Sequence, residues 1–119
     1  MMKTAQRILP RMGIPFQYGR ETFYLVNGGT YQHGNEPVLK VLSPDGGLYA
    51  VVSVNVTDKN EPLQPGEYCI KTWTENEMIS KALRESGLFE DTGKRHRTGF
   101  VEAEVWKLVA PWPEETDNG

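Results

Sequence analysis

The sequence predicts an α+β fold, with a mostly antiparallel, twisted sheet of about five strands and one main helix packed on one face. Three observations lead to this prediction. The longest apolar run, residues 47–56, holds four valines within six positions, and β-branched residues favour strands. Further runs of β-favouring residues, bounded by turn residues, lie on both sides of it. One segment, residues 75–86, instead spaces its apolar residues as a helix does.

The composition is typical of one small domain. A chain of 119 residues has room for a single core. Its net charge of −3 and its pI near 5.4 argue against bulk electrostatic attraction to nucleic acid or anionic lipid. Cys69 is the single cysteine, so no intrachain disulfide can form, which suits a reducing cytoplasm. No stretch is long and apolar enough for a signal peptide or a membrane span, and we expect a cytoplasmic protein.

Composition divides the chain into three parts. Residues 1–20 predict a basic N-terminal arm, residues 21–110 a single α+β domain, and residues 111–119 an acidic flexible tail. Prolines and a glycine in the arm prevent a long helix. The arm either lies over the sheet through its apolar side chains or contacts a phosphate backbone through Arg7, Arg11 and Arg20.

Two strands are predicted before the apolar run. Residues 21–32 predict one long strand with a glycine bulge at Gly28 and Gly29. Residues 37–43 alternate between two faces and predict the next strand. A type I turn with Gly46 in the left-handed conformation then makes a tight hairpin.

The apolar run that follows this turn, residues 47–56, has apolar side chains on both faces. A strand of that kind is usually interior to its sheet, with a neighbour on each side. We therefore expect it to be the central strand of the fold.

A short strand and the helix follow a polar loop. Residues 67–73 predict the strand. Thr74 and Glu77 form a capping-box pattern at the start of the helix, and Gly87 ends it. The apolar stripe on the helix is expected to contact the core, and consists of Met78, Ile79, Ala82 and Leu83.

The connector between the helix and the last strand, residues 87–99, concentrates positive charge. It is interpreted as a mobile basic loop that grips an anion, nucleic acid or an acidic protein surface through Lys94, Arg95, His96 and Arg97. The alternative is a solvated loop whose charge is offset by neighbouring acidic residues, namely Glu90, Asp91, Glu102 and Glu104.

The last strand, residues 100–109, has a packing anomaly. Trp106 and Leu108 fall on the same face as Glu102 and Glu104, which are expected to face solvent. Without a bulge, these two residues form an exposed apolar patch together with Trp112, and such patches mark partner surfaces. The alternative is that the N-terminal arm covers them.

The sequence contains no pattern that indicates catalysis or metal binding. Two histidines and one cysteine provide no spaced ligand set for zinc. The Gly93–Lys94 pair lacks the spacing and the following hydroxyl residue of a phosphate loop. No nucleophile motif is present, so an enzyme is the least supported class, and no cofactor is predicted.

Three pieces of the sequence resemble a known family. They are the strand ending Ser53-Val54-Asn55-Val56, the connector Gly87-Leu88 followed by Thr92-Gly93-Lys94, and Thr98-Gly99-Phe100. With these pieces the chain resembles, over roughly residues 21–109, the bacterial domain-of-unknown-function family 4313. Its uncharacterised members are common on plasmids, phages and integrative elements. The chain departs from the pattern at residues 101–104, where many members have cysteine and aromatic residues.

The resemblance implies a context and no catalytic residues. It indicates an accessory protein of a mobile genetic element, a setting in which small inhibitors of host defence, including anti-CRISPR proteins, are common. The first hypothesis is therefore a non-enzymatic protein that binds and inhibits a host defence protein, with partner-binding residues Lys94, Arg95, His96, Arg97 and Trp106.

A second hypothesis is a nucleic-acid-binding accessory protein of a mobile element. Its candidate contacts are the cations of the arm and the connector, Arg7, Arg11, Arg20, Lys94, Arg95 and Arg97. A small enzyme is the third hypothesis. The sequence leaves open whether the protein forms a homodimer.

Overall fold

The computed structural model describes residues 13–32, 36–56 and 62–113. Within them, seven strands form two antiparallel sheets, and a short 3₁₀ turn, Thr74–Asn76, leads into one helix. The α+β class with one main helix is confirmed, although the strands number seven in two sheets rather than about five in one. In chain order the elements are β1 (Ile14–Tyr18), β2 (Glu21–Thr30), β3 (Pro37–Leu42), β4 (Leu48–Val51), β5 (Glu67–Ile70), α1 (Glu77–Glu85), β6 (Phe89–Thr98) and β7 (Val101–Leu108).

The first sheet has the strand order β1-β2-β3-β4, and each strand pairs with the next along the chain. The predicted glycine bulge is confirmed, because the β2–β3 register shifts between Asn27 and Thr30 and Gly29 has a φ of 92°. The predicted turn before β4 is confirmed as well. Gly46 has a φ of 95°, and its amide donates to the Ser43 carbonyl at 2.9 Å.

The sheet includes part of the predicted N-terminal arm. β1 pairs with β2 over its full length, so Ile14–Tyr18 belongs to the domain rather than to an arm that ends at residue 20. At the other end, Trp112 is buried in the core, so the predicted tail does not begin at residue 111. Residues 1–12 and 114–119, with the rest of the predicted arm and tail, lie outside the described residues.

The second sheet has the order β5-β7-β6. The prediction that the connector is a mobile loop is wrong, because most of the connector is the ten-residue strand β6. Cross-strand pairing stabilises this polar strand, since Arg95 lies opposite Glu104 and Arg97 opposite Glu102. The strand contains a bulge at Gly93, which has a φ of 87°. The glycine that the sequence analysis attributes to a loop therefore belongs to an irregular position within a strand.

The predicted central strand is wrong in position. Its regular part, β4, is the last strand of the first sheet's order, and only three residues beyond it, 52–54, continue into the second sheet. There the Val52 amide donates to the Leu39 carbonyl at 3.0 Å, while the Val52 carbonyl accepts from the Lys71 amide at 2.9 Å. The segment is apolar on both faces because its first residues pair with β3 in the first sheet and its next residues bond to the second sheet.

The main core lies between the two sheets and α1. Trp106 is 1% exposed within it, and its ring lies 5.6 Å from that of Phe89. The predicted exposed patch around Trp106 is therefore wrong. Both faces of β7 are covered, since Ala103 and Val105 point the other way into a second cluster with Cys69. One face of β7 thus carries Glu102 and Glu104 at its first end and the apolar Trp106 at the end that lies under α1.

The helix buries a narrower stripe than predicted. Ile79 and Leu83 pack in the core as expected, whereas Met78 is exposed. The capping box is wrong, because Thr74 has a φ of 52° and its hydroxyl donates to the Trp73 carbonyl at 2.7 Å instead of capping the helix. Gly87, with a φ of 83°, ends the helix as predicted. No helix in the described part of the chain is long and apolar enough to cross a membrane.

Candidate functional site

The basic residues of β6 are largely engaged within the fold. Lys94 Nζ contacts Glu67 Oε1 at 2.8 Å, and the Glu67 side chain is buried. Burial raises the pKa of Glu67, but the hydrogen bonds from Lys94 and from the Gln64 amide outweigh it, so this pKa lies below its ordinary value. Lys94 therefore neutralises a buried carboxylate, which makes it a structural residue.

Arg95 belongs to a charge network on the opposite face of β6. It donates to both carboxylate oxygens of Asp91, at 3.0 and 3.1 Å. This hydrogen bonding lowers the pKa of Asp91 against the opposing effect of burial. Arg84 of α1 bonds both Asp91 and Glu104 and lies 4.8 Å from the centre of the Trp106 ring. The network joins α1 to the second sheet.

His96 and Trp106 are not surface residues. His96 is 4% exposed, and neither ring nitrogen has a hydrogen-bond partner among the described residues. The Trp106 indole N–H donates to Glu104 Oε1 at 2.9 Å. Burial removes both side chains from contact with a partner in this conformation.

Two predicted cationic contacts remain accessible. Arg97 and Arg20 are exposed, and neither forms an ion pair within the described ranges. Arg20 lies in the turn between β1 and β2, and Arg97 lies near the end of β6. Arg7 and Arg11 lie outside the described residues. Among the described residues, the two predicted cations without an ion pair thus lie in different sheets.

Three of the exposed large apolar residues in the described part of the chain lie next to one another on β4. Leu48 is 62% exposed, Tyr49 48% and Val51 37%. The β3–β4 register shifts at this point, and a bulge of this kind redirects a side chain. The Tyr49 ring lies 5.0 Å from Phe23 and 5.9 Å from Tyr18, both edge-on. These two ring contacts hold the half-exposed Tyr49 against the first sheet, and hydrogen bonding to Tyr49 raises the pKa of Tyr18.

The backbone of β4 is paired on one side only. Ala50 lies opposite Val41, and the Val52 amide donates to β3 two residues later. Because bonding alternates along an antiparallel strand, the N–H of Val51 lies outside the β3 ladder, whereas the register of Leu48 opposite Leu42 directs the Tyr49 N–H towards β3. The Val51 carbonyl accepts from Asn76 Nδ2 at 2.8 Å. The side chain of Asn76 thereby closes one end of this edge.

An open groove of about 780 Å³ runs beside the β4 edge. The Tyr31 hydroxyl, which donates to the Ser53 carbonyl at 3.2 Å, lies on one wall. Lys71 and Glu75 lie on the other wall and contact each other at 2.7 Å. Hydrogen bonds from Lys71 and Thr74 lower the pKa of Glu75 to about 2. The groove is therefore neutral overall, with apolar side chains along the strand.

The other strand edges carry protective features. β1 contains Pro15, which has no N–H to offer, and packs beside α1. β6 carries several exposed charged side chains and the Gly93 bulge. β5 is bonded to residues 52–54 on the side away from β7. Within the described ranges, β4 is the strand whose open edge has neither proline nor charge.

A larger groove of about 910 Å³ is lined by residues of both β1 and α1. Phe16, Tyr18 and Met78 line it together with Lys81. It holds exposed apolar surface, but the adjoining strand edge is the one interrupted by Pro15. No group of three metal-ligating side chains occurs among the described residues.

Comparison with known proteins returned no matching family model, no matching curated protein and no matching solved structure. The resemblance to family 4313 stays a prediction.

The residues of the β4 edge were not predicted as a site. The run 47–56 was recognised as a strand, but its apolar character was attributed to an interior position. The sequence carries no signal that separates an edge position from an interior one here, because residues 67–73 and 100–109 also predict strands that could pair with residues 48–51. Asn76, which closes the edge, carries no sequence signal of that role.

Proposed function

We propose that this protein is a non-enzymatic binding protein that acts by occupying the surface of a partner protein with its β4 edge. The observation that carries the proposal is the combination of exposed Leu48, Tyr49 and Val51 with a strand edge that no described strand covers and along which the Val51 N–H points outwards. Proteins blunt open strand edges with proline, charge or cover, because a bare edge invites pairing with another chain. β1 and β6 follow that rule and β4 departs from it.

The class of partner follows from the family resemblance. An accessory protein of a phage, plasmid or integrative element that binds and inhibits a host defence protein, as anti-CRISPR proteins do, would use a surface of this kind. Such a partner is met in the cytoplasm, and a cytoplasmic location is part of the same proposal. Aromatic residues are enriched at protein interfaces, and the half-exposed Tyr49 supplies one at this edge.

Nucleic-acid binding has weaker support. Lys94 and Arg95 are ion-paired to Glu67 and Asp91, which reduces the charge that they offer to phosphate. Arg20 and Arg97 remain exposed, but Arg20 lies in the β1–β2 turn of the first sheet and Arg97 lies in β6 of the second. An enzyme would need a titratable group suited to proton transfer, and in the β4 groove Glu75, with a pKa of about 2, stays ionised beside Lys71.

Site-specific crosslinking in a bacterial host tests the proposal. A photoreactive phenylalanine analogue is placed at Leu48, on the β4 edge, or at Phe100, which is fully exposed in the β6–β7 turn. We expect a discrete crosslinked species from position 48 and none from position 100. Adding Val51→Lys should abolish the adduct at position 48. Equal crosslinking from both positions, or an adduct that survives Val51→Lys, would contradict the proposal.

A further inference from the structure

Three apolar side chains on the outer face of the first sheet are buried. Val26 is 0% exposed, Leu42 4% and Val38 8%. Their neighbours along the same strands point into the main core, namely Leu25, Leu39 and Val41. Because side chains alternate along a strand, the first three lie on the opposite face, which is the outer face of the sheet. They belong to neither core cluster of the described residues.

The described neighbours on the outer face do not explain this burial. Tyr24 lies opposite Leu42 and Lys40 lies opposite Val26, and both are themselves only partly buried. Side chains stand roughly perpendicular to a sheet, so neighbours on one face cover each other's flanks and leave the tips open. Further atoms of the chain therefore lie above Val26 and Leu42.

Composition decides which part of the chain provides this cover. Besides residues 1–12, three segments lie outside the described residues, 33–35, 57–61 and 114–119, and they contain no apolar side chain. Residues 1–12 contain Ile8, Leu9 and three methionines. Contact with apolar side chains removes an apolar face from water favourably. We infer that residues 1–12 pack across the outer face over β2 and β3, with Ile8 and Leu9 towards Val26 and Leu42.

The position of Gly13 brings this segment to the outer face. Gly13 directly precedes β1, and a Cβ added to it would lie 2.7 Å from Val26 Cγ1 and 2.8 Å from the Leu25 carbonyl oxygen. Glycine is therefore the residue that fits where the chain passes Val26. An extended chain spans about 3.3 Å per residue, and adjacent strands lie about 4.8 Å apart. The short stretch from Leu9 to Met12 is thus long enough to cross from β2 to β3.

The covered part of the outer face ends before β4. Leu48 lies opposite Leu42 and Val51 lies opposite Lys40, yet both β4 residues are exposed. Residues 1–12 therefore border the surface proposed for partner binding. Their placement does not depend on the proposed function, because it follows from the burial of β2 and β3.

Methyl NMR spectroscopy on the full wild-type chain tests this placement. With the methyl groups of Ile, Leu, Val and Met labelled, we expect nuclear Overhauser contacts from Ile8 or Leu9 to Val26 or Leu42. Ile79 of α1, on the core side of the sheet, is the control and should show no contact with residues 1–12. A mixture of differently labelled chains should show no such contacts between chains.

Trypsin cleavage after Arg7 and Arg11 provides a second measurement. Leu9→Gln removes an apolar contact and should accelerate this cleavage about tenfold, since burial of a leucine side chain contributes enough free energy for such a shift. Thr4→Gln places the same residue type elsewhere in the segment and should leave the cleavage rate close to that of the wild-type protein. The NMR contacts of the wild-type protein stand even if Leu9→Gln fails to fold.

Three results would overturn the inference. The first is the absence of contacts between residues 1–12 and the outer face, or contacts with Ile79 in their place. The second is contacts that arise only between chains, which would assign the cover to a second copy. The third is equal cleavage rates in Leu9→Gln and Thr4→Gln.

Discussion

The hydroxyl of Ser53 accepts a hydrogen bond from the backbone amide of Leu39 at 2.9 Å. In a regular strand pair, this amide would bond the carbonyl of Val52, whose own amide donates to Leu39. Here the Val52 carbonyl instead accepts from the amide of Lys71, the residue that follows β5 of the second sheet. A side-chain oxygen therefore replaces a main-chain one at the point where the chain passes between sheets.

Removing that hydroxyl should destabilise the fold. Ser53→Ala leaves the Leu39 amide buried without its acceptor, which costs about 1–3 kcal/mol of unfolding free energy. Urea denaturation followed by tryptophan fluorescence measures the loss. Ser53→Thr keeps a hydroxyl at the position and should recover most of it. Equal losses in both variants would mean that the Leu39 bond contributes little.

Lys94 and Arg97 should differ in their effect on stability although both are basic residues of β6. Lys94→Ala leaves the buried Glu67 carboxylate without its cation, and we expect a loss of about 1–3 kcal/mol in unfolding free energy. Arg97→Ala removes an exposed side chain and should change stability by less than about 0.5 kcal/mol. Thermal and urea denaturation of the two variants make the comparison. A matching loss in Arg97→Ala would contradict a specific structural role for Lys94.

His96 should lower stability relative to an apolar residue. Its ring nitrogens are buried without partners among the described residues, so His96→Leu removes two unsatisfied polar atoms. We expect a gain of about 1 kcal/mol in unfolding free energy at pH 7. His96→Gln keeps polar atoms at the site and should give no gain. A loss of stability in His96→Leu would show that the imidazole has a partner in solution.

The protein should lose stability on the acidic side. The folded-state pKa values of Glu67 and Asp91 lie below their ordinary values of 4.5 and 3.8. A carboxyl group with a lowered folded-state pKa contributes stability above its unfolded pKa and loses that contribution as pH falls through the folded one. We therefore expect unfolding free energy to fall from about pH 4.5 downwards, as both groups become protonated in turn.

Substitutions of Glu67 and Asp91 test whether these two carboxyl groups cause the loss of stability at acidic pH. Denaturation curves between pH 2 and 7 should show a smaller acidic loss in Glu67→Gln and in Asp91→Asn than in the wild-type protein. Glu85→Gln changes an exposed carboxylate with no ion pair in the described part of the chain, and serves as the control. If all three variants keep the wild-type profile, other groups cause the acid response.

Local signals account for the correct part of the sequence prediction. Gly46, Gly29 and Gly87 each adopt the positive φ expected of a turn, a bulge or a helix end, because few other residues tolerate that conformation. Ile79 and Leu83 lie one turn apart and share a buried face. These features depend on residues close in sequence, so the chain alone predicts them.

The errors concern partners that are distant in sequence. The charged residues of β6 suggest a loop when the segment is considered alone. In the structure they form a strand, because Glu102 and Glu104 of β7 lie opposite them. The alternation assigns Trp106 to solvent because it shares a strand face with Glu104. In the structure, α1 covers that end of the strand. Periodicity reports which residues share a face, but not what covers that face.

The sequence by itself determined that this chain is an α+β protein with an apolar strand after the Gly46 turn and one amphipathic helix. Only the tertiary structure decided that this strand, β4, ends a sheet and presents Tyr49 and Val51 at an open edge. Strand character depends on side chains within the segment, whereas position in a sheet depends on how many other segments hydrogen-bond to it. The candidate site exists because β3 occupies one side of β4 and no described strand pairs along the other.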